Sequence, residues 1–390
     1  MDKLLAGKCG FRKDKIIFFN MFILIFTVSK AWGLDSTNKS YYLLAAVAMV
    51  FWVFALLGTK YEMKEMLLCG LLLVVSAISL YCSGKIGAIL PAMVIVVAKD
   101  TLIDDVIKMM MKCWLVTVAV KVIGVIIGVI PNEIIEKTTE LALGSDSYKM
   151  GYGHPNLFAM AVAICTLLVL YTYWDNIKWW WSLIIIAVAI AVFMVSLSFT
   201  GTAVMLIASG GVICKAVIMK SEILSRIVNL IMLAVSIASM IVMFVFTRMI
   251  GISESLDIIL LKYTAHRTHV SRSMMDVYSV KLFGQRFDSR AGYEMLDNAY
   301  VYTLLQLGVI MFCLMVMAYL CFLLGAYRRK DISRLFILTI LIIYGFMEQS
   351  FINPFINFSW LFIADMIWND KVIQKPTTRD FNKSIQKEQC

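Results

Sequence analysis

The chain has 390 residues, of which 61% are hydrophobic and only 16% are charged, and its mean hydropathy is +0.84. Soluble globular domains are far more polar, so this composition excludes a water-soluble protein and indicates one embedded in a membrane. The formal net charge of +10 does not indicate a nucleic-acid partner. Most basic residues lie in every second segment between the apolar stretches, and these segments all face the cytoplasm under the positive-inside rule.

Apolar segments of about twenty residues, long enough to cross roughly 30 Å of hydrocarbon, recur along the chain. About twelve of them predict an all-α, polytopic integral membrane protein, with residues 1–390 forming a single membrane domain. The predicted spans are 16–34, 41–57, 66–82, 86–98, 113–130, 155–173, 181–199, 202–219, 227–247, 299–324, 335–351 and 355–368. The fourth and the last are short enough to be broken or re-entrant.

The distribution of lysine and arginine predicts the orientation of these spans. The basic N-terminus leads into a full span without a small-residue cleavage site, so the first span is expected to be retained. The positive-inside rule then places both termini in the cytoplasm. On that side, 99–112 has acids and lysines around an apolar face, which predicts a helix lying at the interface.

Two sizeable external loops are predicted, at 131–153 and 248–298. The second is too long for a connector, and its apolar residues at helical spacing predict one or two short helices. Contact with anionic lipid headgroups would explain a basic loop, but the planar fork of arginine also binds phosphate bidentately. The loop therefore predicts a phosphorylated lipid as ligand, and its basic side chains are Arg267, Arg272, Arg286, Arg290, His266 and His269.

The first external loop ends in GYGHPN, 151–156, which contains one of only three histidines in the chain. Entry into a helix explains the glycine and the proline. It does not explain His154, which could act as a base or as a donor to an anionic ligand, with Asn156 beside it. The hydroxyl-rich turn SLSFTGT, 196–202, allows two interpretations: an ordinary turn, or Thr200 and Thr202 binding phosphate or sugar oxygens.

Acidic residues near the same face are further candidates. Asp297 and Asn298 stand where a helix N-cap belongs, but Asp297 could also accept a proton from a sugar hydroxyl. Glu348, near the outer end of the eleventh span, is expected to pair with a loop arginine, because an unpaired acid in a membrane is costly. Lys121 lies mid-span, and the sequence leaves open whether it extends to the interface or pairs with an acid.

Motifs for nucleotide or metal chemistry are missing from the sequence. The nine cysteines form no C-x-x-C, and the chain has no Walker loop, HExxH or G-x-S-x-G. We therefore expect no cofactor and no metal. An external reaction must use an energised group that is already outside, and a lipid-linked pyrophosphate is the obvious carrier.

Three motifs, GHPN before a span, TGT between two spans and a long loop carrying R…LFG…DNAYVYTLLQLG, resemble the Wzy-type polysaccharide polymerases of capsule and exopolysaccharide clusters. More distantly they resemble the O-antigen ligases. The resemblance implies a GT-C-like glycosyltransferase of the bacterial cytoplasmic membrane with an extracytoplasmic active site. It would transfer a growing glycan from undecaprenyl pyrophosphate to the next lipid-linked repeat unit.

The resemblance also implies roles for single residues. In the ligases an arginine of the long loop holds the pyrophosphate, and Arg272 in VSRSMMDVYSVKLFG occupies the similar position. A histidine that opens the helix after that loop is the base in the ligases, and Asp297 stands there in this chain. A second ligase arginine, near the turn between the seventh and eighth spans, is replaced in this chain by Phe199-Thr200-Gly201. Both departures favour a polymerase over a ligase.

The hypothesis is therefore an inverting, metal-independent transfer in which His154, Asp297 and Arg272 are catalytic. The remaining candidates bind substrate or pyrophosphate: Arg267, Arg286, Arg290, His269, Asn156, Thr200, Thr202, Asn298, Tyr300 and Glu348. Expected partners are membrane lipids, a flippase and a chain-length regulator, and no nucleic acid. The alternatives are a ligase with another acceptor, a flippase for the same lipid-linked oligosaccharide, and a scaffold without chemistry. A flippase predicts midplane charges and internal repeats.

Overall fold

The computed structural model describes residues 2–35, 38–137, 145–218, 221–264, 266–287 and 296–369. These residues are mostly helical. In chain order the helices are α1 (Asp2–Ala31), α2 (Lys39–Leu57), α3 (Met63–Ser83), α4 (Leu90–Val97), α5 (Ile103–Ile126), α6 (Pro155–Thr172), α7 (Trp181–Ser196), α8 (Phe199–Ile218), α9 (Glu222–Met249), α10 (Glu254–Thr264), α11 (Arg267–Val277), α12 (Ala299–Tyr302), α13 (Val309–Arg328), α14 (Ile332–Met347) and α15 (Ser359–Asn369). Short 3₁₀ turns precede α4, α7 and α15.

Long apolar helices confirm that the protein is embedded in a membrane. Six helices of the described residues are long and apolar enough to cross one, namely α2, α3, α5, α6, α9 and α13. Shorter apolar helices, α4, α7, α8 and α14, lie among them. The count of twelve spans remains a prediction.

Four of the predicted spans are broken, and the eleventh, 335–351, is one of them, because α14 ends at Met347 and a 3₁₀ turn follows Glu348. The fourth is a 3₁₀ turn followed by the eight-residue α4, which begins with a proline in its first turn. The last contains only the eleven-residue α15. The tenth divides into α12, a π-helical turn (Thr303–Leu307) and α13, with Gly308 between them at φ +100°.

A backbone crossing between two glycines explains the break in the tenth span. A Cβ on Gly284 would lie 2.1 Å from the Gln306 carbonyl oxygen, and one on Gly308 would lie 2.3 Å from the Gly284 nitrogen. Both residues have positive φ, which glycine adopts readily. The Gln285 N–H donates to the Gln306 carbonyl at 3.0 Å, so the long loop is pinned to the broken helix.

The centre of the bundle is formed by α4, α14 and α15, whose side chains are largely buried. Around them α1 packs on α2 and α5, α6 packs on α5 and α8, and α14 packs on α9. Rings fill the space between α1 and the 353–358 segment, where Phe26 stacks on Phe355 with centroids 4.7 Å apart. In contrast, α2 and α3 expose many leucines, as lipid-facing helices do.

The mostly helical fold includes one short antiparallel strand pair in the first external loop, in which Ile134–Lys137 pairs with Ser145–Tyr148. One prediction about local structure is wrong, because the segment 99–112 does not form a separate interfacial helix. Residues from Ile103 onward are the first turns of α5, because their apolar face continues the buried face of that helix. The short helices expected in the long loop are confirmed as α10 and α11.

The two ends of α14 carry different polar clusters. At its first turn Arg334 donates to Asp365 at 2.6 Å and to Asp104 at 3.3 Å, and it ties α14 to α15 and α5. At the other end, Glu348 follows the last residue of the helix. We call the Glu348 end of the bundle the site end and the Arg334 end the opposite end.

Candidate functional site

Arg267 is the centre of a buried polar cluster at the site end. It is the first residue of α11, its side chain is 10% exposed, and its Nε donates to the Met347 carbonyl at 2.8 Å. Its Nη2 lies 3.4 Å from Asp297 Oδ2 and 3.4 Å from Glu348 Oε1. One guanidinium therefore faces two carboxylates that are distant in sequence. The pairing expected between Glu348 and a loop arginine is confirmed, with Arg267 as the partner.

Asn298 holds the segments of this cluster together. Its Oδ1 accepts from the backbone N–H groups of Tyr300 and Val301, both at 2.9 Å, and so caps α12. Its Nδ2 donates to the Phe346 carbonyl at 2.7 Å, which fixes the end of α14. The Tyr300 hydroxyl donates to the Ile342 carbonyl at 2.6 Å. Because Asn298 and Tyr300 are both fully buried, their role is to support the cluster.

The two carboxyl groups are biased toward their protonated forms. Burial raises the pKa of Glu348 to about 7, with the Asp297 charge adding to the rise and Arg267 opposing it. Burial also raises the pKa of Asp297, and the charges of Arg267 and His154 oppose that rise. A carboxylate whose pKa is raised binds a proton more strongly, which suits a proton acceptor.

His154 is electrostatically coupled to the cluster, because its protonated form would oppose the rise in the pKa of Asp297. It is the N-cap residue of α6, and Pro155 begins the helix, as the sequence predicted. The His154 Nδ1 accepts from the Asn156 backbone N–H at 3.1 Å. A ring nitrogen that accepts carries no proton, so in the neutral imidazole the proton resides on Nε2. In this state the Nε2 N–H of His154 is a hydrogen-bond donor.

The other predicted basic residues have different surroundings. Arg272 lies on α11 and pairs with Asp276 of the same helix at 2.9 Å, with 34% of its side chain exposed. His269 lies 3.5 Å from the Thr268 hydroxyl. Arg286 is exposed and lies against Gly84, just after α3. Arg290 lies outside the described residues.

The hydroxyl turn between α7 and α8 is explained by packing. A Cβ on Gly201 would lie 2.9 Å from the Ala159 carbonyl oxygen, so this glycine lets α8 contact the backbone of α6. The Thr202 hydroxyl donates to the Ser198 carbonyl at 2.7 Å, and Thr200 lies in the first turn of α8. These contacts leave Thr200 as the better candidate of the two for a ligand.

Lys121 has partners that the sequence did not indicate. Its ammonium group donates to the Trp32 carbonyl and lies 3.8 Å from the centroid of the Tyr152 ring. No acidic partner of Lys121 occurs in the part of the chain that is described. Carbonyl groups and ring faces stabilise this buried cation, and neither leaves a recognisable sequence pattern.

Within the described ranges no three His, Cys, Asp or Glu side chains come together as metal ligands. No family model, no curated protein and no solved structure matches the chain. The structure therefore defines the class by itself: a largely α-helical membrane protein with a buried arginine–carboxylate cluster at one end of its bundle.

Proposed function

We propose that the protein is a membrane glycosyltransferase that polymerises lipid-linked oligosaccharide repeat units. The growing glycan would leave undecaprenyl pyrophosphate and join a hydroxyl of the next lipid-linked unit, on the outer face of the bacterial cytoplasmic membrane. The observation that carries the proposal is the convergence of Arg267, Asp297 and Glu348 at one end of the bundle, with His154 electrostatically coupled to Asp297. A glycosyl transfer needs a proton acceptor, a proton donor or anion ligand, and cationic groups beside each other.

Asp297 is the proton acceptor in this mechanism. Burial raises its pKa above that of a free aspartate, and its carboxylate is 35% exposed against 17% for Glu348, so an acceptor hydroxyl can reach Asp297 more easily. His154 then serves as a donor to the substrate, because its Nδ1 is already engaged by the backbone. The choice between His154 and Asp297 as base, open from the sequence, thus falls on Asp297.

Arg267 and Arg272 have separate roles. Arg267 is buried and its charge is already balanced by two carboxylates, so it orients them. The Arg272 to Asp276 pair is an exposed pair one helical turn apart, and such pairs are worth about 0.5 kcal/mol. A pyrophosphate can displace Asp276 at little cost.

Reconstitution in liposomes tests the proposal. Purified protein would receive a synthetic undecaprenyl-pyrophosphate-linked repeat unit, and the glycans would be separated by length. The proposal expects a ladder of products with free undecaprenyl pyrophosphate released in proportion. Translocation without bond formation would indicate the flippase alternative, transfer to a foreign acceptor alone would indicate the ligase, and an unchanged substrate would support the scaffold. Each of those three results contradicts the proposal.

A further inference from the structure

The strongest feature outside the proposed chemistry is a buried contact between the end of α1 and the turn that carries His154. The Tyr152 hydroxyl donates to the Ala31 carbonyl at 2.9 Å, and Lys121 of α5 donates to the next carbonyl, that of Trp32. Lys121 also lies 3.8 Å from the Tyr152 ring centroid and 5.4 Å from that of Trp32. We call Trp32, Lys121 and Tyr152 the lysine clamp.

The clamp is closely packed. Tyr152 is 4% exposed and Lys121 is 3% exposed. A Cβ on Gly33 would lie 2.9 Å from Tyr152 Cδ1, and one on Gly151 would lie 3.2 Å from Lys121 Cε. Both glycines have positive φ, so the chain on each side of the clamp bends in a way that lets it pack onto these two side chains.

The need to cap the carbonyl groups at the end of α1 does not by itself explain why Lys121 is buried there. Lys30 already donates to the Leu34 carbonyl at 2.9 Å and lies 4.4 Å from the Tyr41 ring centroid. A second buried ammonium is costly in a membrane protein. What distinguishes Lys121 from Lys30 is its contact with Tyr152, which is two residues before His154.

We infer that Lys121 and Tyr152 are positioning residues, which hold the 151–154 turn so that His154 stays beside Asp297. This inference rests on the proposed function for the role of His154, but the geometry it describes can be measured separately. The clamp ties the turn to α1 and α5, whereas Asp297 belongs to the segment before α12. The clamp is therefore the buried contact that fixes the 151–154 turn against α1 and α5.

The first measurement is the distance between residues 154 and 297. In a background without native cysteines, His154→Cys and Asp297→Cys are joined by a short bifunctional methanethiosulfonate reagent, and the cross-linked peptide is quantified by mass spectrometry. Lys121→Met should lower its yield by about five-fold or more, because a turn released from a packed anchor samples many positions. Lys30→Met is the matched control, since it removes a lysine that also contacts the end of α1 without touching Tyr152, and it should leave the yield unchanged.

Kinetics in the native-cysteine protein are the second measurement. Lys121→Met and Tyr152→Phe should lower kcat for glycan transfer by about ten-fold with little change in KM, because misplacing a substrate-contacting group by about 1 Å slows the reaction without weakening remote binding. Lys121→Arg, which keeps the charge over the ring, should recover much of the loss. If Lys121→Met does not fold, Tyr152→Phe decides both measurements, as it keeps the ring.

Equal cross-linking yields in the Lys121→Met and Lys30→Met proteins would overturn the inference, as would a Tyr152→Phe protein with unchanged yield and kcat. Failure of the proposed function gives a different pattern: the wild-type protein would make no polymer, while the cross-linking comparison would still report whether the clamp positions residue 154.

Discussion

Arg267 and Glu348 form an ion pair of 3.4 Å between residues 81 positions apart in the chain. The pair joins the first turn of α11, in the long loop, to the end of α14, one of the largely buried helices at the centre of the bundle. It therefore fixes the long loop over one end of the membrane domain, where Arg267 also lies 3.4 Å from Asp297.

Glu348 should make stability depend on pH. Its pKa in the folded protein is raised to about 7, above the ordinary value of 4.5, so the folded state binds a proton more tightly than the unfolded state. This contribution is fully present below pH 4.5 and is lost as the pH rises through 7. We expect the unfolding free energy of the wild type, relative to Glu348→Gln, to fall by on the order of 3 kcal/mol between pH 5 and pH 8. A difference that stays constant over this range would contradict the assignment.

Removal of Arg267 should destabilise the protein strongly. Arg267→Ala leaves two partly buried carboxyl groups without their cation, and we expect a cost of about 2 kcal/mol, below the roughly 3 to 5 kcal/mol of a fully buried pair. In a Glu348→Gln background the same substitution should cost at least about 1 kcal/mol less, because one of the two carboxylates is already gone. Denaturant unfolding in detergent micelles of the four proteins measures this coupling. Additive effects would mean that the ion pair contributes nothing.

The close backbone contact between Gly284 and Gly308 predicts that one added methyl group will lower stability strongly. Gly284→Ala would place Cβ 2.1 Å from a carbonyl oxygen that cannot move without displacing the broken helix. We expect the free energy of unfolding to fall by about 3 kcal/mol or more. Gly251→Ala is the matched control, because Gly251 also has positive φ, at +87°, but no other atom lies within 4 Å of the position that its Cβ would take. It should cost about 1 kcal/mol, the strain of the backbone alone. Similar losses at both glycines would disprove the packing argument.

Arg272 should be needed for polymer formation and not for folding. Arg272→Ala should lower the rate of polymerisation by about 10²-fold or more, with lipid-linked single units accumulating, and Arg272→Lys should recover little, since the planar fork is lost. Arg226 offers the matched control, because it forms the same kind of exposed pair with Glu222, at 2.8 Å, at the opposite end. Arg226→Ala should leave the ladder of products intact. Normal chain lengths from Arg272→Ala would remove Arg272 from the mechanism.

The sequence predicted those features that depend on short stretches of chain. Apolar segments long enough to cross a membrane, the start of α6 at Pro155 and the helices of the long loop all follow from local composition and periodicity. The need of Glu348 for a cation followed from the cost of an unpaired acid in a membrane.

Features that depend on how helices face one another were not predictable. Arg267 and Arg272 lie on different faces of α11, and only packing decides which of them meets Asp297 and Glu348. The break at Gly308 arises from contact with Gly284 in another segment, so an apolar run across 299–324 predicted one continuous span instead. Lys121 is stabilised by a carbonyl group and two rings, which could be supplied by almost any sequence.

Transfer by the Asp297→Asn protein tests the central claim most directly. The amide keeps the size of the side chain and a partner for Arg267, but it cannot accept a proton. With a lipid-linked repeat unit as substrate, the first glycan transfer should slow by about 10²-fold to 10⁴-fold at pH 7 while binding of the substrate is retained. A wild-type rate and a wild-type ladder from Asp297→Asn would contradict the claim that this carboxylate takes the proton from the acceptor hydroxyl.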